Sequence, residues 1–315
     1  MYKNFLAAIK NKLAVSQIIE DELLRYAYST DASVYRMLPQ LVLIVKNEAE
    51  VTYIIKMANA YDVKITFRAA GTSLSGQAVT DQVLVMLAAD SWQFHHVFDN
   101  GNQVMLEPGI IGADANKYLK IYHKQIGPDP GSIKSAKIGG MCCGTTKNSY
   151  ATLKSMRAIL ADGTILDTSQ YDSLNKFRTE KKDLLQSITA IRQKVMLDDE
   201  LTKFIRKKFS IKNTSGYSLN AFLDFEDPIK ILERLMIGSE GTLGFVSQVT
   251  LRTVPNHSYK ALNLIYGKLE DLIKLTIHIV DFDVSSVELL DYFSLESVAG
   301  DKDLKEYLIE LPDES

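Results

Sequence analysis

The chain has 315 residues, 46% hydrophobic and 24% charged, with 36 basic and 39 acidic side chains and a formal net charge of -3. At about 150 residues per domain, that length predicts about two domains and ample chain for a large core. The composition excludes a disordered, collagen-like or disulfide-scaffold chain, and the charge balance points to neither nucleic acid nor an acidic tail.

No apolar run approaches the roughly 20 residues of a membrane-spanning helix. Lys3, Lys10 and Lys12 interrupt the apolar N-terminus, so a signal peptide is not expected. The two cysteines, Cys142 and Cys143, are adjacent. Neighbouring cysteines rarely bridge, and two thiols make no four-thiolate site, so packing roles and a reduced, cytoplasmic compartment are expected.

In chain order, Phe5, Leu6, Ile9 and Leu13 keep helical spacing over residues 4–13, and Ile18 and Ile19 roughly continue it. Leu41 to Val45 reads as a buried strand and Glu48 to Tyr61 as a helix. Strand candidates follow at Lys64 to Phe67 and Val83 to Leu87. Strand, helix and strand at this spacing predict a βαβ unit and a parallel sheet. Beyond residue 90, Gln103 to Leu106, Ile159 to Asp162, Ile165 to Asp167 and Phe245 to Thr253 read as strands, with a hairpin signal at Asp162-Gly163. Helices are expected over Gly112 to His123, Asn175 to Lys194 and Pro228 to Met236. The second belongs to a lysine-rich, solvated excursion over about residues 170–210. A new domain should start near residue 256, with a strand at Tyr259 to Tyr266 and a helix at Leu269 to Val280.

Three glycine-rich runs stand out. Arg68-Ala69-Ala70-Gly71-Thr72-Ser73-Leu74-Ser75-Gly76-Gln77 lies between two strands. Small residues let successive N–H groups turn toward one point, a nest suited to phosphate, and three hydroxyls add donors. Gln77 sits where a P-loop lysine belongs and no helix follows, so an ATPase is excluded, as is a dinucleotide fingerprint of the G-x-G-x-x-G type. The second run is Gly127-Pro128-Asp129-Pro130-Gly131-Ser132 with Ile138-Gly139-Gly140. Its prolines predict extended, rigid backbone, and its glycines allow close approach of a flat ligand. The third, Gly238-Ser239-Glu240-Gly241-Thr242-Leu243-Gly244, leads into a strand, again suggesting backbone packed against a ligand. Taken singly, the first can be read as a plain Gly/Ser loop, the second as an ordinary turn-rich loop and the third as a bend at a sheet edge.

Their order and spacing resemble the FAD-binding domain of the vanillyl-alcohol-oxidase superfamily, PCMH-type, in its D-lactate, glycolate and D-2-hydroxyglutarate dehydrogenase branch. The run Met141 to Tyr150 and the run Lys212 to Asn220 resemble the N-terminal part of the large bacterial FAD and iron–sulfur dehydrogenases. The resemblance implies an α+β fold: FAD-binding subdomains at residues 1–88 and 89–255, then the start of a ferredoxin-like substrate cap at 256–315. It assigns the FAD pyrophosphate to Arg68, Ala70, Gly71, Thr72, Ser73, Leu74, Ser75 and Gly76. Pro130, Ser132, Ile138, Gly139 and Gly140 would lie along the flavin and its ribityl chain, and Glu240, Gly241 and Val246 near the adenine and ribose. The family's histidine for covalent attachment is replaced by Ala70, so non-covalent FAD is expected. The family's Ala/Asn/Gly-rich stretch between Ile-Gly-Gly and Met-Cys-Cys-Gly is missing, because Gly140 runs straight into Met141.

The activity implied is oxidation of a D-2-hydroxy acid to the 2-oxo acid by hydride transfer to flavin N5. Electrons would pass to an iron–sulfur centre, a quinone or a cytochrome. The catalytic base, any metal ligands and the iron–sulfur cysteines would lie beyond Ser315. Two alternatives are a catalytically incomplete FAD-fold fragment and a flavin-dependent alcohol oxidase of the same superfamily. The five histidines, His95, His96, His123, His257 and His278, show no ligand spacing, so no metal is expected. Lys203, Arg206, Lys207, Lys208 and Lys212 make a basic patch interleaved with Phe204, Ile205 and Phe209. Such runs are mostly solvated helix faces; peripheral contact with a membrane surface or an electron acceptor is the alternative.

Overall fold

A computed structural model describes residues 2–256 other than 145, 212, 214 and 215. Beyond 256 it describes 261, 263–279, 282, 284, 287–298, 300 and 301. The elements are α1 (Tyr2–Lys10), β1 (Ile18–Ile19), α2 (Glu22–Ala27), β2 (Leu41–Val45), α3 (Glu48–Ala60), β3 (Ile65–Arg68), β4 (Val83–Leu87), β5 (His95–Phe98) and β6 (Gln103–Leu106). Next come α4 (Gly112–Leu119), β7 (Lys124–Ile126), α5 (Ile138–Gly144), α6 (Thr146–Thr152), β8 (Leu153–Leu160) and β9 (Ile165–Asp167). Then follow α7 (Tyr171–Glu180), α8 (Lys182–Leu197), α9 (Asp199–Ser210), α10 (Ala221–Asp224), α11 (Pro228–Met236), β10 (Gly244–Pro255), α12 (Leu269–Ile279) and α13 (Tyr292–Ser297).

The chain divides into two compact units, Met1–Asn256 and His257–Ser315. The first holds two sheets. One has the order β1-β2-β4-β3, in which β2, β4 and β3 run parallel and β1 pairs antiparallel with β2. The apolar runs of β2 and β4 are buried on both faces, as a covered parallel sheet requires. α3 starts where Asn47 Oδ1 accepts the Glu50 N–H at 3.0 Å and Glu50 reaches back to the Lys46 N–H at 2.7 Å. Its Val51, Ile54, Ile55 and Ala58 join Phe5 and Ile9 of α1 in the core beside this sheet. The second sheet is antiparallel, in the order β5-β6-β10-β8-β9, with β7 pairing the far end of β10. Its core takes in α4, α8, α9 and α11. Ile159 and Phe245, from β8 and β10, pack into the first core and so join the two halves.

Several expectations need correction. Ile18 and Ile19 form a strand paired with Leu43 and Val42, so they do not extend the first helix. The helix from Gly112 stops at Leu119 and tightens through a 3-10 turn, which His123 ends in left-handed conformation. The helix foreseen over Asn175–Lys194 is broken at Lys181 into α7 and α8. The extended backbone ends at Pro130: residues 131–135 fold into turns, and from Ile138 the chain is helical. Of the strand expected over Tyr259–Tyr266, residues 259, 260 and 262 lie outside the described residues, and the others form no strand. No helix among the described residues is long and apolar enough to cross a membrane.

Candidate flavin site

The first glycine run leaves the carboxyl end of β3, where ligands gather in open parallel sheets. Its first residue fixes its shape. Arg68 is 6% exposed, and its guanidinium donates through Nε to the Ala78 carbonyl at 2.7 Å and through Nη1 to Thr30 at 3.1 Å. Burial pulls its pKa below the ordinary arginine value, and the nearby Asp31 opposes that shift. The buried arginine thus clamps both ends of the loop to the 30–38 segment. Gly71 (φ 73°) gives its carbonyl to the Ala32 N–H at 2.9 Å. Gly76 (φ 77°) lies under Tyr35, whose Cδ2 would sit 2.6 Å from a Cβ there. Ala70, before Gly71, is exposed; between the two glycines Thr72 and Ser73 are half-buried, Ser75 is exposed and Leu74 is 78% exposed. Gln77 accepts a hydrogen bond from Ser73, which holds the loop's far side.

The second run docks on residues 108–112. Ile138 N–H donates to Ile110 at 2.8 Å, Gly139 N–H to Pro108 at 3.0 Å and Gly112 N–H to Ala136 at 3.0 Å. Ser132 caps a tight turn by accepting from Ala136 at 2.7 Å and from Ser135 at 2.8 Å. Ile138 is buried, whereas Gly140 is exposed. In the third run Glu240 (φ 51°) and Gly241 (φ 76°) turn the chain into β10. Val246, two residues inside the strand, is buried in the second sheet's core.

The fold brings all three runs to one place. Gly140 faces Ala69, whose Cβ is the nearest atom, at 3.9 Å, to a Cβ built on Gly140. Gly241 stands against Phe67, and the Glu240 N–H donates to the Cys143 carbonyl at 3.3 Å. Beneath them Phe245 packs tilted against Phe67 and Trp92, with ring centroids at 5.2 and 5.3 Å. Trp92 Nε1 is anchored on the Val45 carbonyl at 2.9 Å. Burial raises the pKa of the Glu240 carboxyl and pushes the Cys143 thiol up to about 12, so that thiol stays protonated at neutral pH. Cys142 is wholly buried and shifted upward for the same reason.

Residues outside the three runs complete the site: Thr30, Asp31, Ala32 and Tyr35 on one side, Trp92 and Phe245 below. The sequence carried no separate signal for them, because their contacts cross the chain and their local pattern is that of ordinary turn and core. Among the described residues no group of three His, Cys, Asp or Glu side chains stands ready for a metal.

Open glycine backbone at Gly140 and Gly131, a hydroxyl-bearing loop and a half-buried carboxyl suit a long ligand with a flat ring, a diphosphate and a ribose. No atom lies within 4 Å of a Cβ placed on Gly131. Residues 39–169 match the family model described as an FAD binding domain. Over this segment the chain is similar to FAD-binding domains. The residues present fit that cofactor, and the fold is the PCMH-type FAD-binding fold. Among solved structures, alkyldihydroxyacetonephosphate synthase superposes with a TM-score of 0.54 at 15% identity, covering 89% of this chain and 46% of that one. BBE-like 1 of Physcomitrella patens gives 0.50 at 13%, covering 79% and 44%.

In sequence, the chain is 27% identical over 286 residues to a D-2-hydroxyglutarate dehydrogenase of Haemophilus influenzae, covering 85% of this chain and 28% of that protein. It is 28% identical over 285 residues to the mitochondrial D-lactate dehydrogenase (cytochrome) of Arabidopsis thaliana, covering 85% and 41%. The chain therefore spans less than half the length of either relative.

Proposed function

We propose that this chain binds FAD non-covalently and forms the flavin-binding part of an oxidoreductase that converts a D-2-hydroxy acid into the 2-oxo acid. The observation that carries the reading is the meeting of the three glycine runs at the end of β3. The names of the relatives supply the substrate class.

In this reading the backbone from Arg68 to Gly76, with the hydroxyls of Thr72, Ser73 and Ser75, holds the diphosphate. Pro130, Ser132, Gly139 and Gly140 lie along the ring and ribityl chain. Glu240 and Gly241 close the adenosine side. Ile138 and Val246, buried in the core, brace the glycines beside them. Burial favours the neutral Glu240 carboxyl, which can donate a hydrogen bond as well as accept one. When bound, FAD supplies the acceptor for the substrate's hydride. Residues 256–315 are read as the start of the substrate cap. The electron acceptor is of iron–sulfur, quinone or cytochrome type.

The test is to titrate the purified chain with FAD, following visible absorption and flavin fluorescence, and then add D-lactate, D-2-hydroxyglutarate or glycolate without oxygen. Bound flavin that one of these acids bleaches is the expected result. A colourless chain that takes up no FAD overturns the cofactor assignment. Yellow protein that no substrate bleaches fits a flavin binder lacking its catalytic part, and bleaching by aryl or sugar alcohols alone redirects the substrate class.

A further inference from the structure

The sequence of α9 places two kinds of side chain outside the core. Its Thr202, Ile205 and Phe209, three and four residues apart, turn inward. Ile205 is buried in the second core, Phe209 packs against it, and the Thr202 hydroxyl donates to the Val195 carbonyl at 2.9 Å. On the opposite side, Leu201 and Phe204 are exposed with Lys208 between them on the same face. Phe204 is 61% exposed, and flanking it in sequence are Leu197 at 87% and Ile211 at 69%. Lys203 and Lys207 form a second row one position round the helix, and Arg206 is also exposed. None of Lys203, Arg206, Lys207 and Lys208 has a carboxylate partner among the described residues. From Leu201 to Leu223 the sequence contains no Asp or Glu at all, although the chain as a whole is acidic.

Apolar side chains normally leave such a helix face to charges, and unpaired cations normally stand among carboxylates. Here apolar side chains and cations share one face, and the only carboxylates of α9, Asp199 and Glu200, are confined to its first turn. Cations whose stems lie beside a Leu–Phe stripe match an anionic lipid surface, where the ammonium groups meet headgroups and the apolar side chains enter the acyl boundary. We infer that α9, with the adjoining Leu197 and Ile211, docks the protein on an anionic lipid bilayer. The contact is peripheral, because the inner face of α9 stays packed in the core. It does not depend on the flavin reading, as none of these residues belongs to the glycine runs.

The experiment is co-sedimentation of the full chain with vesicles of phosphatidylcholine alone and of phosphatidylcholine mixed with phosphatidylglycerol. Binding is expected only to the mixed vesicles and should fall as salt rises. Replacing Lys203, Lys207 and Lys208 together by Gln should weaken it by about a hundredfold, at about fivefold per cation. Phe204→Asp should weaken it by about tenfold or more. Phe204→Trp should give emission that shifts to the blue on the mixed vesicles, against the constant background of buried Trp92. Far-ultraviolet circular dichroism and thermal melting of each variant confirm that it is folded. No partition into the mixed vesicles at low salt overturns the inference, as does self-association through this face in sedimentation analysis. Binding that Phe204→Asp leaves intact, with no shift from the introduced Trp, overturns insertion and leaves only adsorption of charge.

Discussion

At the scale of single residues, two positions make the site sensitive to small changes. Gly76 combines a left-handed backbone with the Tyr35 ring 2.6 Å from where a Cβ would stand. Gly76→Ala should cost about 1–2 kcal/mol from backbone strain, plus whatever the displaced ring adds. Urea denaturation of Gly76→Ala, Tyr35→Ala and the double variant checks this: the double variant should recover the ring's share and keep the backbone's. Glu240 offers a test of sign. Its folded pKa is raised by burial, so the unfolded chain ionises first as pH rises. Its contribution therefore favours folding below the ordinary carboxylate pKa and is progressively lost as pH climbs through the raised folded value. Glu240→Gln should match the parent at acid pH and become the more stable of the two towards neutrality, as read from melting temperatures across that range. Arg68 and the glycine runs were legible from sequence because loop chemistry is local. Asp31 and Tyr35 were not, because their importance comes from contact with Gly71 and Gly76 about 40 residues away.

Among elements, the clearest link is between α3 and β8. Arg157 on β8 grips Glu48 in the first turn of α3 through Nε at 2.7 Å and Nη2 at 3.0 Å, and also reaches Asp167 at 3.2 Å. Ser247 donates to the same Glu48 at 2.5 Å. Hydrogen bonding to Glu48, more than any other influence, raises the Arg157 pKa. The pair is about one-third exposed, so solvent screens it. A double-mutant cycle with Glu48→Gln and Arg157→Met should give a coupling of about 1 kcal/mol that shrinks in high salt. A coupling indistinguishable from zero at low salt would show that packing alone joins these elements. Elements with strong apolar periodicity, such as β2, α3, β4 and α11, were readable in advance. β5 (His-His-Val-Phe) and β7 (Lys-Gln-Ile) carry no such pattern and exist because β6 and β10 offer them ladders. α5 went unread because Gly139 and Gly140 argue against a helix; tertiary bonds to Ile110 and Pro108 hold its start in place.

For the molecule as a whole, every described residue of both hydrophobic cores lies within the first 256. A chain ending at Asn256 should therefore fold cooperatively and bind FAD as tightly as the full chain. Calorimetry and flavin titration of the two proteins side by side check this, and an unfolded or flavin-free shorter chain would refute it. The parallel unit could be read from the alternation of runs, and the α+β class followed from the resemblance. The joining of the two sheets could not, because Phe67, Trp92 and Phe245 are far apart in sequence and meet only through packing.

β10 also carries its own length compensation. Val246 and Gln248 pair with the consecutive residues Ala158 and Arg157, leaving Ser247 over; Thr250 and Leu251 pair with Ser155 and Leu153, leaving Lys154 over on β8. One strand's surplus residue is thus balanced by the other's a few positions on, like an insertion and its suppressor. Removing both residues would leave register and facing side chains unchanged on either side. Besides the Ser247 bond to Glu48, what would be lost is the coil that surplus residues impart to a strand pair. The flatter ribbon would swing the Gly244 end, and Glu240 and Gly241 with it, relative to the loop from Arg68.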